Sequence, residues 1–139
     1  MTIDYVETKT IELNALRKLY ESVGWTPYAR KPDKLARILE RSLYVLSAWH
    51  DGVLVGLIRV VGDDTSIIYI QDILVDPAYQ GKKIGTTLLK RVLKKYAHIR
   101  QIVLMTDNTE KTKRFYKSLG LQSIDELEGL AFVKVNLDA

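Results

Sequence analysis

The chain has 139 residues, 47% of them hydrophobic and 27% charged, a size and balance that fit one globular domain, residues 1–139, with a continuous buried core. It has no cysteine, which excludes disulfides, thiolate nucleophiles and cysteine-held zinc or iron–sulfur centres. A formal charge of +4 suits an anionic ligand but is too small to imply nucleic acid, and no apolar run reaches the roughly 18 residues needed to cross a bilayer.

The N-terminus, Met1-Thr2-Ile3-Asp4 and onward, lacks the basic start and apolar stretch of a secretory leader, so a cytoplasmic protein with no membrane partner is expected. Leu13, Leu16, Leu19, Tyr20 and Val23 recur at helical spacing and Gly24 follows as a stop, predicting a first helix. A proline-broken aromatic connection, Trp25 to Pro32, leads to a second helix over 33–42, with Leu35, Ile38 and Leu39 on one face. The pattern then turns β-rich. Residues 43–49 and 53–61 read as an antiparallel pair closed by Asp51-Gly52, and 66–75 as a third strand.

Beyond Asp76-Pro77 and a basic loop, Leu88, Leu89, Val92, Leu93 and Tyr96 mark an amphipathic helix whose outer face carries Lys90, Arg91, Lys94 and Lys95. Residues 101–105 read as a short strand, 109–119 as a helix stopped by Gly120, and 129–135 as a last strand. The expected order is ααβββαβαβ, an α/β fold with a mixed, mostly antiparallel sheet and helices on both faces. No repeat or linker divides it.

The chemistry concentrates where the third strand runs through Ile73-Leu74-Val75-Asp76-Pro77-Ala78-Tyr79-Gln80-Gly81-Lys82-Lys83-Ile84-Gly85-Thr86-Thr87 into a helix. The first turn of a helix offers unpaired N–H groups and a positive dipole end, and Gly81 and Gly85 let an anion approach the backbone, which together describe a pyrophosphate site. It is neither a nucleotide-triphosphate P-loop nor a three-glycine dinucleotide fingerprint.

Here the sequence resembles the GNAT superfamily of acyl-CoA N-acyltransferases. The loop pattern Gln/Arg-x-x-Gly-x-Gly/Ala, after Val-x-Pro and before paired leucines, is matched by Gln80, Gly85, Val75, Pro77, Leu88 and Leu89; Lys83 stands at the usual middle glycine. A second match, Asn108 to Leu121, is similar to the family's Asn-x₃-Ala-x₂-Phe-Tyr-x₃-Gly-Phe helix, with Thr112 for alanine and Leu121 for the aromatic.

The resemblance implies acetyl-CoA as cofactor, held in a V-shaped gap between the strands ending at Val75 and Met105. Its pantetheine arm would bond the backbone of Ile73, Leu74 and Val75, and its pyrophosphate the amides of Gln80, Gly81, Lys82, Lys83, Ile84, Gly85 and Thr86. Asn108 and Phe115 would line the far side, and Tyr116 would face the thioester sulfur as general acid. The reaction implied is direct transfer of acetyl to an amine in a ternary complex, with no metal.

Alkylamines titrate near 10.4, so on the order of one molecule in a thousand is neutral and nucleophilic at pH 7, and something must supply or maintain that form. By a strict two-residue period Tyr69, Gln71, Ile73 and Val75 share one strand face and Asp72 lies on the other. A water held by Tyr69, Gln71 or backbone carbonyls is therefore the expected base, and no base residue is named. Trp25 and Tyr28 either line the amine pocket or pack their loop. His50 and His98 are isolated and take no role. The basic helix face is expected to be solvated.

Two other readings use the same residues: a non-catalytic acyl-CoA-binding module in which Tyr116 is idle, and a small basic nucleic-acid binder built on Lys82 and Lys83. The acetyltransferase reading predicts no nucleic-acid partner. The acceptor and the oligomeric state are not fixed by the sequence; many relatives are dimers, so a homodimer is consistent with the resemblance.

Overall fold

The computed structural model describes residues 1–139, the side chain of Thr26 excepted. Contacts group the chain into two compact units, Met1–Met105 and Thr106–Ala139. The first unit runs β1 (Asp4–Glu7), α1 (Leu13–Ser22), α2 (Thr26–Ala29), α3 (Pro32–Glu40), β2 (Tyr44–His50), β3 (Val53–Gly62), β4 (Ile67–Val75), α4 (Ile84–Lys95) and β5 (Gln101–Leu104). Its strands make one five-stranded sheet in the order β1-β2-β3-β4-β5. All neighbours are antiparallel except β4 and β5, which are parallel. The α/β class and the mostly antiparallel sheet are as expected.

Helices cover both faces. On one, Leu16, Leu19 and Tyr20 of α1 and Leu35 and Leu39 of α3 close over Val45, Leu54, Leu57 and Leu74. On the other, α4 buries Ile84, Leu88, Leu89 and Val92. Gly56 marks that second contact, since a Cβ there would stand 3.1 Å from Ile84 Cγ2 and 3.2 Å from the Leu74 carbonyl oxygen. Adjacent Gly56 and Leu57 thus face opposite layers, as strand alternation requires. Burying a leucine or isoleucine contributes about 1.5–3 kcal/mol each, which is what fastens these helices.

Three elements depart from the expected order. β1 is an additional strand, pairing Asp4–Glu7 with Leu46–Trp49; four largely exposed residues at a sheet edge carry too little alternation to read in advance. The aromatic connection contains the short helix α2. The last strand expected over 129–135 is not formed. Leu130, Phe132, Val133 and Val135 are exposed there, and alternation makes a strand only where a neighbouring edge supplies hydrogen bonds. Among the described residues none does.

In the second unit, α5 (Glu110–Ser118) is opened by Thr109, whose hydroxyl accepts a hydrogen bond from the Thr112 N–H, the usual service of an N-terminal capping threonine. It closes at Gly120, left-handed at φ 92°, with the Leu121 N–H returning to the Tyr116 carbonyl. A 3₁₀ turn over Ile124–Leu127 follows. The Lys117 ammonium meets the Glu126 carboxylate at 2.6 Å.

Candidate cofactor and acceptor site

The parallel ladder between β4 and β5 is short. It pairs Ile67 with Gln101 through Ile70 with Leu104 and stops, leaving residues 71–75 of β4 without a partner on that side. The expected V-shaped gap would open from this point. The peptide groups of Ile73, Leu74 and Val75 that do not bond β3 are free donors and acceptors, the requirement for holding a ligand along a strand edge.

At the same point β4 breaks phase. Arg59 stands opposite Asp72, but its neighbour Val60 stands opposite Ile70, so Gln71 is an extra, unpaired residue, a β-bulge. Directly paired residues share a face. Tyr69, Asp72 and Leu74, opposite Val61, Arg59 and Leu57, therefore lie on the face covered by α1. Ile70, Ile73 and Val75, opposite Val60, Ile58 and Gly56, lie on the other. The strict two-residue reading, which grouped Tyr69 with Ile73 and Val75 and turned Asp72 away, is corrected by the bulge.

A cavity of about 350 Å³ opens beside it, bordered by Trp25, Pro27, Tyr28, Gln71, Asp72 and Met105. Gln71 and Asp72 are consecutive yet both border it, as the bulge allows. Trp25 and Tyr28 line the cavity and also pack their loop, with ring centroids 6.1 and 5.6 Å from that of Tyr20. Tyr69 is not among the bordering residues.

Asp72 is buried, 2% exposed. Its Oδ2 accepts hydrogen bonds from Arg59 Nε at 2.7 Å and from the Tyr20 hydroxyl at 2.8 Å. Arg59 is itself buried and also reaches Ser42 Oγ at 3.4 Å. Burial and the neighbouring carboxylate push the Tyr20 phenol far above its ordinary value. From the sequence Arg59 takes no reading, Tyr20 only that of an apolar helix position, and Asp72 that of a carboxylate turned away from the site. The signal available was one charge inside each of two apolar strands, Ile58-Arg59-Val60 and Gln71-Asp72-Ile73, since buried charges are tolerated only in pairs.

The loop after β4 is held at both ends. The Asp76 N–H bonds the Val55 carbonyl at 2.9 Å, and the Asp76 carboxylate accepts from the Ala78 N–H, starting a 3₁₀ turn over Pro77–Tyr79. His50, given no role above, meets the Tyr79 hydroxyl through Nδ1 at 3.0 Å and so braces this turn. Gln80, Gly81, Lys82 and Lys83 are exposed. Gly81 has φ 81° and Lys83 φ 62°: the lysine at the usual glycine position adopts the left-handed geometry that position demands. Lys83 also precedes the first turn of α4, where no side chain caps the helix. The N–H groups of Ile84, Gly85 and Thr86 are thus left to an outside acceptor, and the dipole there favours an anion.

Within the second unit, Asn108 is exposed just ahead of α5, and Phe115 and Tyr116 are partly buried on it, their rings edge-on at 5.0 Å. Burial raises the Tyr116 phenol above its ordinary value and Asp107 adds to this, while a hydrogen bond with Thr106 opposes it. The hydroxyl therefore stays protonated throughout the neutral range.

The basic face of α4 is not wholly given to solvent. The Arg91 guanidinium lies 4.7 Å from the ring centre of Tyr5, and Lys95 Nζ 4.9 Å from that of Tyr44, so two of the four cations pack on aromatic residues of the sheet. Among the described residues no helix is long and apolar enough to cross a membrane.

Comparison with known proteins agrees with this geometry. Residues 10–121 match the model of the acetyltransferase (GNAT) family. An uncharacterised N-acetyltransferase of Prochlorococcus marinus is 32% identical over 126 residues, 86% of this chain and 67% of that protein. One from Gracilaria tenuistipitata is 31% identical over 79% of this chain and 62% of its own length, so the chain spans about two thirds of the length of these relatives. A GNAT-family acetyltransferase structure from Streptococcus pneumoniae is 32% identical, with a TM-score of 0.86 over 98% of this chain and 99% of the other. A more distant fold neighbour, 17% identical with a TM-score of 0.72 over 98% of this chain and 99% of its own, was solved with a bisubstrate analogue joining coenzyme A to an acetylneamine. With a family model running from the first helix to the glycine-closed end of α5, the chain belongs to the GNAT family of acetyltransferases.

Proposed function

We propose that the chain is an acetyl-CoA-dependent N-acetyltransferase that passes acetyl directly to a primary amine in a ternary complex. The observation that carries this reading is the parting of β4 from β5 after Ile70 and Leu104, at the strand that feeds the uncapped N-terminus of α4. One strand edge and one helix end offer unpaired peptide groups in the order that pantetheine and pyrophosphate need them, so the residues fit the cofactor. Acetyl-CoA would supply an acetyl thioester open to attack by nitrogen, the new N–C bond replacing the C–S bond, the amine giving up a proton and coenzyme A departing as the thiol.

The chain's own groups do the rest. Free peptide groups at Ile73, Leu74 and Val75 hold the pantetheine arm. The Ile84, Gly85 and Thr86 N–H groups, with the left-handed turns at Gly81 and Lys83, cradle the phosphates, and Gln80 and Lys82 flank them. Asn108 and Phe115 belong to the same cofactor surface by family resemblance. Tyr116 holds a proton for the departing sulfur, and its raised phenol keeps that proton available at neutral pH. Trp25, Tyr28 and Gln71 border the cavity in which the amine waits.

Thermal melting with and without acetyl-CoA tests the cofactor site, with adenosine as control. Ligand at 100 times its dissociation constant stabilises the fold by about 2.7 kcal/mol, a clear upward shift that adenosine should not reproduce. No shift at millimolar acetyl-CoA removes the reading.

A further inference from the structure

Asp72 was turned away from the site by simple alternation, and the bulge at Gln71 brings it back. Both donors on its carboxylate, Arg59 Nε and the Tyr20 hydroxyl, end on Oδ2. Among the described residues nothing donates to Oδ1. The one fully enclosed side-chain polar atom without a partner among the described residues is Arg17 Nε, so Oδ1 is not among the sealed atoms, and the space that Asp72 borders is the 350 Å³ cavity. A carboxylate clamped by two donors on one oxygen has its plane fixed and presents the other as a rigid acceptor.

Apart from Gln71 the rest of the described cavity wall is uncharged and mostly apolar or aromatic: Gly24, Trp25, Pro27, Tyr28 and Met105. Among the described residues no lysine, arginine or histidine borders it, so an anionic group on the ligand would meet neutral donors only and face the Asp72 carboxylate. Arg59 already balances the charge of Asp72, and Oδ1 therefore accepts a hydrogen bond from nitrogen without requiring that nitrogen to be charged. The Arg59 pairing weakens the preference of Oδ1 for an ammonium, so the unprotonated, nucleophilic amine is also a partner it can hold.

We infer that Asp72 Oδ1 is the anchor for the acceptor nitrogen, and that the site selects a primary amine on a compact apolar or aromatic body carrying no carboxylate. This rests on the acetyltransferase reading and names the acceptor class of that site. Tyr20 and Arg59 are positioning residues that act through Asp72, while Trp25 and Tyr28 supply the wall against which the body of the amine packs.

The test is steady-state kinetics at saturating acetyl-CoA with benzylamine, spermidine and alanine as acceptors, on the wild-type chain and on Asp72→Asn. Benzylamine should exceed both others in kcat/KM by at least roughly tenfold. Asp72→Asn should lower kcat/KM for benzylamine roughly ten- to hundredfold, through KM, because a charged acceptor is lost, while the melting shift with acetyl-CoA is kept. Alanine used as well as benzylamine, or a folded Asp72→Asn with unchanged benzylamine KM, overturns the inference. Should Asp72→Asn not fold, the wild-type acceptor series decides. If acetyl-CoA produces no shift and no transfer, benzylamine binding by calorimetry decides: binding to the wild type that exceeds alanine tenfold upholds the anchor while the acetyltransferase reading falls, and equal binding removes both.

Discussion

Lys83 turns the cofactor loop at φ 62° and ψ 22°, a conformation that costs a residue with a Cβ about 1–2 kcal/mol. Glycine would relieve that strain but add freedom to the unfolded chain, an opposing effect of about 0.4–1 kcal/mol. Lys83→Gly should therefore raise stability by about 0.5–1 kcal/mol in urea unfolding, and by losing one cation should weaken acetyl-CoA only a few-fold in a calorimetric titration. A large loss of affinity would mean that the ammonium, rather than the loop backbone, holds the phosphates. Tyr116 makes a contrasting case, because its role lies in its proton. Tyr116→Phe should lower kcat by roughly 10²–10⁴-fold and leave the melting shift with acetyl-CoA intact; an unchanged kcat would take the general-acid role away from Tyr116.

At the scale of elements, most of the site was legible because its chemistry follows the chain. The loop from Gln80 to Thr86 and the helix around Phe115 and Tyr116 are contiguous motifs, and periodicity placed α5 nearly to the residue and marked the apolar face of α4. What escaped was produced by pairing. The bulge at Gln71 exists only in the register of β4 against β3, so counting along one strand put Asp72 on the wrong face and Tyr69 with the wrong neighbours. β1 and the stretch 129–135 show the same limit from two sides: a polar edge segment becomes a strand because Leu46–Trp49 is there to pair with it, while an alternating apolar segment without a ladder does not. The network of Tyr20, Arg59 and Asp72 can be checked in the same terms. Arg59→Leu, which strands a buried carboxylate, should cost about 3–5 kcal/mol in urea unfolding; a smaller loss would mean that Tyr20 and water suffice for it.

On the scale of the whole molecule, four tyrosines, Tyr20, Tyr44, Tyr96 and Tyr116, have phenols raised chiefly by burial. In the unfolded chain each ionises near pH 10. Their contribution is therefore fully present below about pH 10 and is lost as pH climbs from there toward the folded values, because the unfolded state releases its protons first. Urea midpoints between pH 8 and 12 should be flat and then fall, with phenolate absorbance appearing together with unfolding. Absorbance rising well before unfolding would show that these hydroxyls titrate in place. The parting of β4 from β5 has its own consequence for solvent exchange. Amides of Ile68–Ile70 are sheltered in a ladder on both sides, whereas those of residues 71–75 that point away from β3 lie open. In deuterated water the sheet should carry a fast-exchanging notch along half of one central strand, and that notch should close when acetyl-CoA is added.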